Sequence, residues 1–296
     1  MNYVITGGAG HISKPLAETL LAAGHHVTVV GRNAANLAEL TAKGAKAAIG
    51  SVDDVAFLSE TFKGADGLYL MIPPNYGATD LKAAITQVGK NYAAALKASP
   101  VQHVVLLSSI GAHLAEGTGP IVGLHNTEKA LGELSNINFL FLRPAFFYYN
   151  LLALTGLVKQ ANIIGNNYTV PAGKFPIVDT SDIAAVAADA LLKLSFKGHS
   201  VQYIASDEVG TDQIAAELGK AIGKPELPWV KFTDEQSKAA LLQAGLGESG
   251  ADNLVEMGVA NDKGLASEDY WKHQPTLGKV KLGDFAKVFA TVYNAQ

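Results

Sequence analysis

Apolar and polar positions follow two alternating rhythms through the first half of this chain. Short apolar runs, rich in β-branched and aromatic residues, fall at residues 3–6, 27–30, 45–49, 67–72 and 103–109. Between them, 14–21, 36–41, 55–62 and 80–98 read as helices. Lys63-Gly64 ends the third helix and Pro73-Pro74 stops the fourth strand. Strands apolar at successive positions are buried on both faces, as in a parallel sheet covered by helices. The strand–helix repetition predicts an α/β fold with a doubly wound parallel Rossmann sheet.

The rhythm changes in the second half. Residues 127–134 read as a helix and 139–143 as a sixth strand. Residues 145–175 are rich in aromatics, Asn and Gly and show no clear period. An alanine-rich helix covers 181–192, with Thr180 or Ser181 placed to cap it, and a further strand covers 201–204. From Thr211 the chain is mostly helical, broken at Lys224-Pro225 and by the glycines of 245–250. The pattern divides the chain into a dinucleotide-binding domain, 1–144 with 176–204, and a smaller, mostly helical C-terminal substrate or partner lobe, 145–175 with 205–296.

Composition narrows the classes. Hydrophobic residues make up 48% of 296, ample for a buried core, while charged residues are only 17% and the net charge is -4. Nothing is basic enough to suggest nucleic acid as a partner. The chain has no cysteine, which excludes disulfides, thiol catalysis and cysteine-ligated metal and fits a reducing cytoplasm. No apolar run approaches the ~20 residues of a membrane helix, and the first strand starts at once, so neither membrane nor signal peptide is expected. His25, His26, His113, His199 and His273 show no metal-ligand spacing with acidic partners, and no metal is expected.

The junction of first strand and first helix carries the main chemical signal. It reads Thr6-Gly7-Gly8-Ala9-Gly10-His11-Ile12-Ser13, with the spacing Gly7-x-x-Gly10-x-x-Ser13. Gly7 permits a tight turn and Gly10 a close backbone approach. The third position needs a small residue so that helix and strand can meet. Such a turn holds a pyrophosphate on backbone amides at a helix N-terminus, assigning Thr6, Gly7, Gly10, His11 and Ile12 to a dinucleotide; the bland alternative is a tight turn without ligand. After the second strand, where an acidic residue would read the ribose of NAD, stands Arg32. A guanidinium suits a 2′-phosphate, so NADP(H) is preferred over NAD(H), unless Arg32 is simply a loop arginine. Ser51 and Val52, after the third strand, border the same crevice on the adenine side. Met71, Ile72 and Pro73, after the fourth, border it near ribose or pyrophosphate.

With Val4-Ile5-Thr6-Gly7-Gly8-Ala9-Gly10, Ser108-Ser109, Thr127-Glu128-Lys129-Ala130-Leu131, residues 142–150 (Leu-Arg-Pro-Ala-Phe-Phe-Tyr-Tyr-Asn) and residues 178–184 (Val-Asp-Thr-Ser-Asp-Ile-Ala), the chain resembles the NmrA-like group of atypical short-chain dehydrogenase/reductases over nearly its whole length. Within that group it looks most like bacterial NADPH-dependent quinone or azo-dye reductases. Where the family commonly has an acidic residue after the third-strand glycine, this chain has Ser51. The family includes both reductases and regulators that sense NADPH without catalysis.

The resemblance implies two functional expectations. The first is hydride transfer from NADPH to a small, electron-poor acceptor such as a quinone. The second is a catalytically inactive NADP(H) sensor that signals to a protein partner. A nucleotide-sugar epimerase is a weaker third. Ordinary short-chain dehydrogenases place Tyr and Lys four residues apart on a helix; here that spacing gives His125 and Lys129, the catalytic candidates, with Lys129 also a ribose contact. Each has a bland alternative, a polar residue before a helix and a solvated helix lysine. Tyr76, Phe146, Phe147 and Tyr148 are the candidate walls of an acceptor pocket, against the alternative of core packing. Asn150 reads as a cap. Hydride could pass directly to the acceptor, so no flavin is expected. A monomer or homodimer is expected.

Overall fold

The computed structural model describes residues 1–295. In chain order the elements are β1 (Asn2–Ile5), α1 (Ser13–Ala22), β2 (His26–Gly31), α2 (Ala38–Ala42), β3 (Lys46–Ile49), α3 (Val55–Phe62), β4 (Gly67–Leu70), α4 (Leu81–Lys97), β5 (His103–Leu107), α5 (Ile121–Gly132) and β6 (Asn138–Pro144). There follow β7 (Phe146–Phe147), α6 (Thr155–Ala161), β8 (Ile164–Asn166), β9 (Phe175–Val178), α7 (Thr180–Lys193), β10 (His199–Ile204), β11 (Asp207–Val209), α8 (Thr211–Ala221), β12 (Trp229–Lys231), α9 (Asp234–Gln243), α10 (Glu248–Asp262), α11 (Tyr270–His273) and α12 (Leu282–Ala295).

Seven strands form one parallel sheet in the order β10-β6-β5-β4-β1-β2-β3. The order reverses between β1 and β4, the switch point where open α/β sheets bind ligands at their carboxyl ends. Successive residues of one strand feed opposite cores, which is why the strands are apolar throughout. Tyr3, Ile5 and Tyr69 face α1 and α7, against Leu16, Leu20, Ile183 and Leu191. Val4, Leu68 and Leu70 face α3 and α4, against Leu58, Phe62, Tyr92 and Leu96. Aspartates hold several helix starts: Asp54 Oδ1 accepts from Phe57 N at 3.0 Å and Asp80 Oδ1 from Ala83 N at 2.9 Å. The alanine-rich helix is capped by Asp179, one residue before the expected Thr180 or Ser181; its Oδ1 accepts from Ser181 N at 2.8 Å.

The smaller lobe holds more strand than its composition suggests. β9 does not return to the main sheet, as the stretch from 176 was expected to; it lies between β7 and β11 in a separate three-stranded sheet, and β8 pairs with β12. The lobe core gathers Tyr148, Ile164, Phe175, Ile214, Leu218, Phe285 and Phe289. Asp182, from the Val-Asp…Asp-Ile-Ala stretch, ties this lobe to α7. Its carboxylate accepts from Ser206 Oγ at 2.6 Å and from the backbone N–H of Lys279 and Val280 at 3.1 Å each. No described helix is long and apolar enough to cross a membrane.

Candidate active site

The glycine turn sits at the switch point. Gly7 has φ +97°, and a Cβ there would lie 2.6 Å from both Met71 Cγ and Ser13 Oγ. Ser13 serves as the third small residue and adds a bond: its hydroxyl donates to Thr6 O at 2.9 Å, clamping α1 onto β1. The amides of Gly8 and Gly10 are used inside the turn, on Val30 O and Gly7 O. Those of Ala9, His11, Ile12 and Ser13 have no protein acceptor among the described residues, and α1 has no side-chain cap. Unspent N–H groups converging at a helix N-terminus fit a diphosphate. Arg32, beyond the end of β2, is exposed and has no ion-pair partner among the described residues.

Other cofactor candidates are placed less directly. Thr6 is fully buried; its Oγ1 accepts from Met71 N at 2.8 Å and fixes the end of β4 to β1, so its side chain shapes the crevice rather than facing a ligand. Ser51 Oγ is engaged with Asp53 Oδ2 at 2.9 Å, and Val52 O accepts from Asn91 Nδ2 at 3.3 Å. Pro73 is exposed beyond β4. His11 is exposed, and its ring lies 4.0 Å from that of Tyr149, bridging the glycine turn to the small lobe.

Next to Gly7, a cleft of about 280 Å³ opens at the carboxyl ends of β4, β5 and β6. Met71, Ile72, Ile110, Phe146, Phe147 and Met257 are among its apolar walls, and Tyr76 stands at its edge, 42% exposed. Tyr148 is a correction: it is wholly buried in the lobe core, stacked on Phe285 at 5.2 Å, and cannot touch an acceptor. A short helical turn at residues 148–154 sends Tyr148 inward and its neighbour Tyr149 outward. Asn150 lines the cleft and caps no helix.

Lys129 and His125 stand outside the lining of this cleft. The helix expected from Thr127 starts at Ile121, and the residues it turns to the cleft are Ile121 and Leu124. At roughly 100° per residue, His125 stands about 40° round the helix from Ile121 and Lys129 about 80°. Lys129 is exposed, and His125 Nδ1 is hydrogen-bonded to Ala112 O at 2.9 Å. Neither lines the cleft.

Behind the cleft wall α5 places Glu128, buried and paired in two places with Arg143 of β6: Nε–Oε1 at 3.1 Å and Nη2–Oε2 at 2.6 Å. Ser108, on the cleft wall, donates to the same carboxylate at 2.5 Å. Arg143 Nη1 donates to Tyr203 Oη at 3.1 Å, and Tyr203 donates to Asp269 at 2.7 Å. Burial opposes the Arg143 charge, but its bonds to Glu128 outweigh that and raise its pKa. Burial likewise works against the Asp269 carboxylate, yet the Tyr203 bond and the nearby His113, His273 and Lys272 hold its pKa below the ordinary value. The Ser-Ser, Thr-Glu-Lys and Leu-Arg-Pro stretches thus meet in one buried network.

Three contributors lie where sequence reasoning did not look. Leu254, Met257 and Asn261 form one face of α10 along the cleft, an i, i+3, i+7 signal present in the sequence. Ser267 adds a polar group. Lys174, in the turn before β9, also lines the cleft and has no such signal. Among the described residues no three His, Asp or Glu side chains are grouped to hold a metal.

A doubly wound sheet with free turn amides at its switch point, beside an apolar cleft, defines a nucleotide-binding α/β protein. The chain belongs to the NmrA-like family, which matches residues 2–267. It is 28% identical to the NAD(P)H azoreductase of Xenophilus azovorans, over 99% of each chain. Its fold is similar to that of an NADPH-dependent quinone oxidoreductase from Escherichia coli complexed with NADPH, with TM-score 0.80 and 23% identity over 97% of this chain and 99% of that one. It is also similar to NmrA, a negative transcriptional regulator, with TM-score 0.77 and 16% identity over 99% and 97%.

Proposed function

We propose that the protein is an NADPH-dependent reductase that passes hydride to a flat, electron-poor acceptor of the quinone type. The observation that carries this is the pairing of two features: a set of unspent amides at Ala9, His11, Ile12 and Ser13, and an apolar cleft directly beyond Met71. The turn amides would hold the diphosphate and Arg32 the 2′-phosphate. Bound there, NADPH would supply a hydride, which carries both electrons and with one proton converts a quinone to a hydroquinone. The cleft walls hold the acceptor ring and exclude water from its faces. Ser108 has its proton committed to Glu128, and among the described residues no Asp, Glu or His lines the cleft. The proton for the reduced acceptor would come from water or from a nearby hydroxyl of the lining such as Ser109 or Ser267, which suits a quinone, whose reduced anion is stable enough to wait for it. The relatives named above, an azoreductase and a quinone oxidoreductase, support the same reading.

A sensor reading is favoured by one observation: among the described residues no Tyr–Lys or His–Lys pair four residues apart on a helix lines the cleft. Mixing the protein with NADPH and a panel of quinones and azo dyes, and following the reduced nicotinamide absorbance, separates the two. Turnover on any acceptor supports the reductase. Tight NADP(H) binding with no turnover replaces it by the sensor. In the same assay Arg32→Glu should weaken NADPH binding roughly tenfold or more, the size of a charge-assisted phosphate contact, and NADH binding far less. Equal loss for both overturns the assignment of Arg32.

A further inference from the structure

We infer that Lys174 selects the acceptor, and that the preferred acceptor is an aromatic anion: a planar ring system with a sulfonate or carboxylate remote from its reducible end. The inference rests on the reductase reading and adds the charge and orientation of the substrate.

Lys174 is the one charged residue lining the cleft among the described residues. It is exposed and sits in the turn before β9, on the small-lobe side. Its ammonium lies 5.5 Å from the centre of the Trp271 ring and makes no ion pair among the described residues. A cation over an aromatic face is held in place, but its three N–H donors are not consumed. The charge is thus held over Trp271, beside the cleft that Lys174 lines, with hydrogen-bonding capacity to spare.

The rest of the cleft sets what that charge can bind. The interior around Met71, Ile110, Leu124, Phe146, Phe147 and Met257 accepts an apolar ring and offers an ionised group no charged partner. An anionic substituent is therefore best placed toward exposed Lys174, with Asn150 and Asn261 as further polar groups of the lining. The reducible end then lies toward Met71, beside Gly7. With a net charge of -4 the protein as a whole does not attract anions, so a local cation is needed to favour one.

The test compares kcat/KM for a naphthoquinone sulfonate and for unsubstituted naphthoquinone, with NADPH, in the wild type, Lys174→Met and Lys174→Arg. The wild type should prefer the sulfonate. Lys174→Met should lower the sulfonate-to-neutral ratio roughly tenfold or more, through KM, as one charge-assisted bond requires. Lys174→Arg should keep most of the ratio, and added salt should shrink it. A ratio that Lys174→Met leaves unmoved, or no wild-type preference, overturns the inference while the reductase reading stands. If neither quinone is reduced, the reductase reading fails instead. Calorimetric binding of naphthalene sulfonate against naphthol, in the presence of NADP+, then decides the role of Lys174. Sulfonate binding lost in Lys174→Met upholds it, and equal binding by both proteins removes it.

Discussion

Glu128 and Arg143 offer the sharpest test of how this fold is held together. Their side chains are only 9% and 10% exposed, and they share two hydrogen bonds. Arg143→Met leaves the Glu128 carboxylate buried with the Ser108 hydroxyl as its remaining partner. Removing one member of such a pair costs about 3–5 kcal/mol, because the survivor keeps its charge without compensation. An unfolding entropy of about 2.1 cal/mol/K per residue, applied to 296 residues, gives about 0.6 kcal/mol per degree, so Tm should fall by about 5–8 °C. Removing both charges, with Glu128→Leu and Arg143→Met together, leaves mainly the Ser108 hydroxyl orphaned, a cost of about 1–3 kcal/mol. The double variant should therefore be far more stable than the sum of the singles. Urea unfolding followed by circular dichroism on all four proteins measures the cycle. Simple additivity, or a loss under about 1 kcal/mol for Arg143→Met alone, would refute the picture of a mutually dependent buried pair.

Gly7→Ala should abolish measurable coenzyme binding by calorimetry and cost about 2 kcal/mol of stability, since it combines a positive φ with a Cβ 2.6 Å from Ser13 Oγ; normal binding by this variant would contradict the placement of the diphosphate. His113 should make the fold acid-sensitive. Burial lowers its pKa, Arg143 and Lys272 add to that, and Asp269 and Glu268 oppose it. Below the ordinary histidine value of about 6.5 the unfolded chain takes up a proton that the folded one refuses, so stability falls until the lowered native pKa is passed and then levels off. His113→Phe should flatten that slope in urea midpoints taken across the window, and an unchanged slope would show that other groups set it.

The sheet was legible because a strand buried on both faces must be apolar at every position, and few other structures demand that. The glycine turn was legible because strand, turn and helix follow one another without a break. Helix α5 was read late for a physical reason. Gly123 looks like a break, yet a Cβ there would lie 2.6 Å from Ile85 Cβ; its absence lets α4 and α5 approach closely. Misplacing the start hid which residues α5 turns inward, and with them the meeting of Glu128 and Arg143. Tyr148 and Tyr149 are indistinguishable as sequence, and only the phase of the turn at 148–154 buries one and exposes the other. Lys174 follows Pro171-Ala172-Gly173, which signals a turn and says nothing of the cleft beneath it.

The residues that wall the cleft span the chain from Met71 to Ser267. On a ribosome, which releases the N-terminal end first, the glycine turn and the strands β1 to β5 emerge well before α10. The amides of the phosphate cradle are thus made while the acceptor wall is still missing, but the strands that carry them wait for α7 to cover their other face, so cradle and wall mature late and almost together.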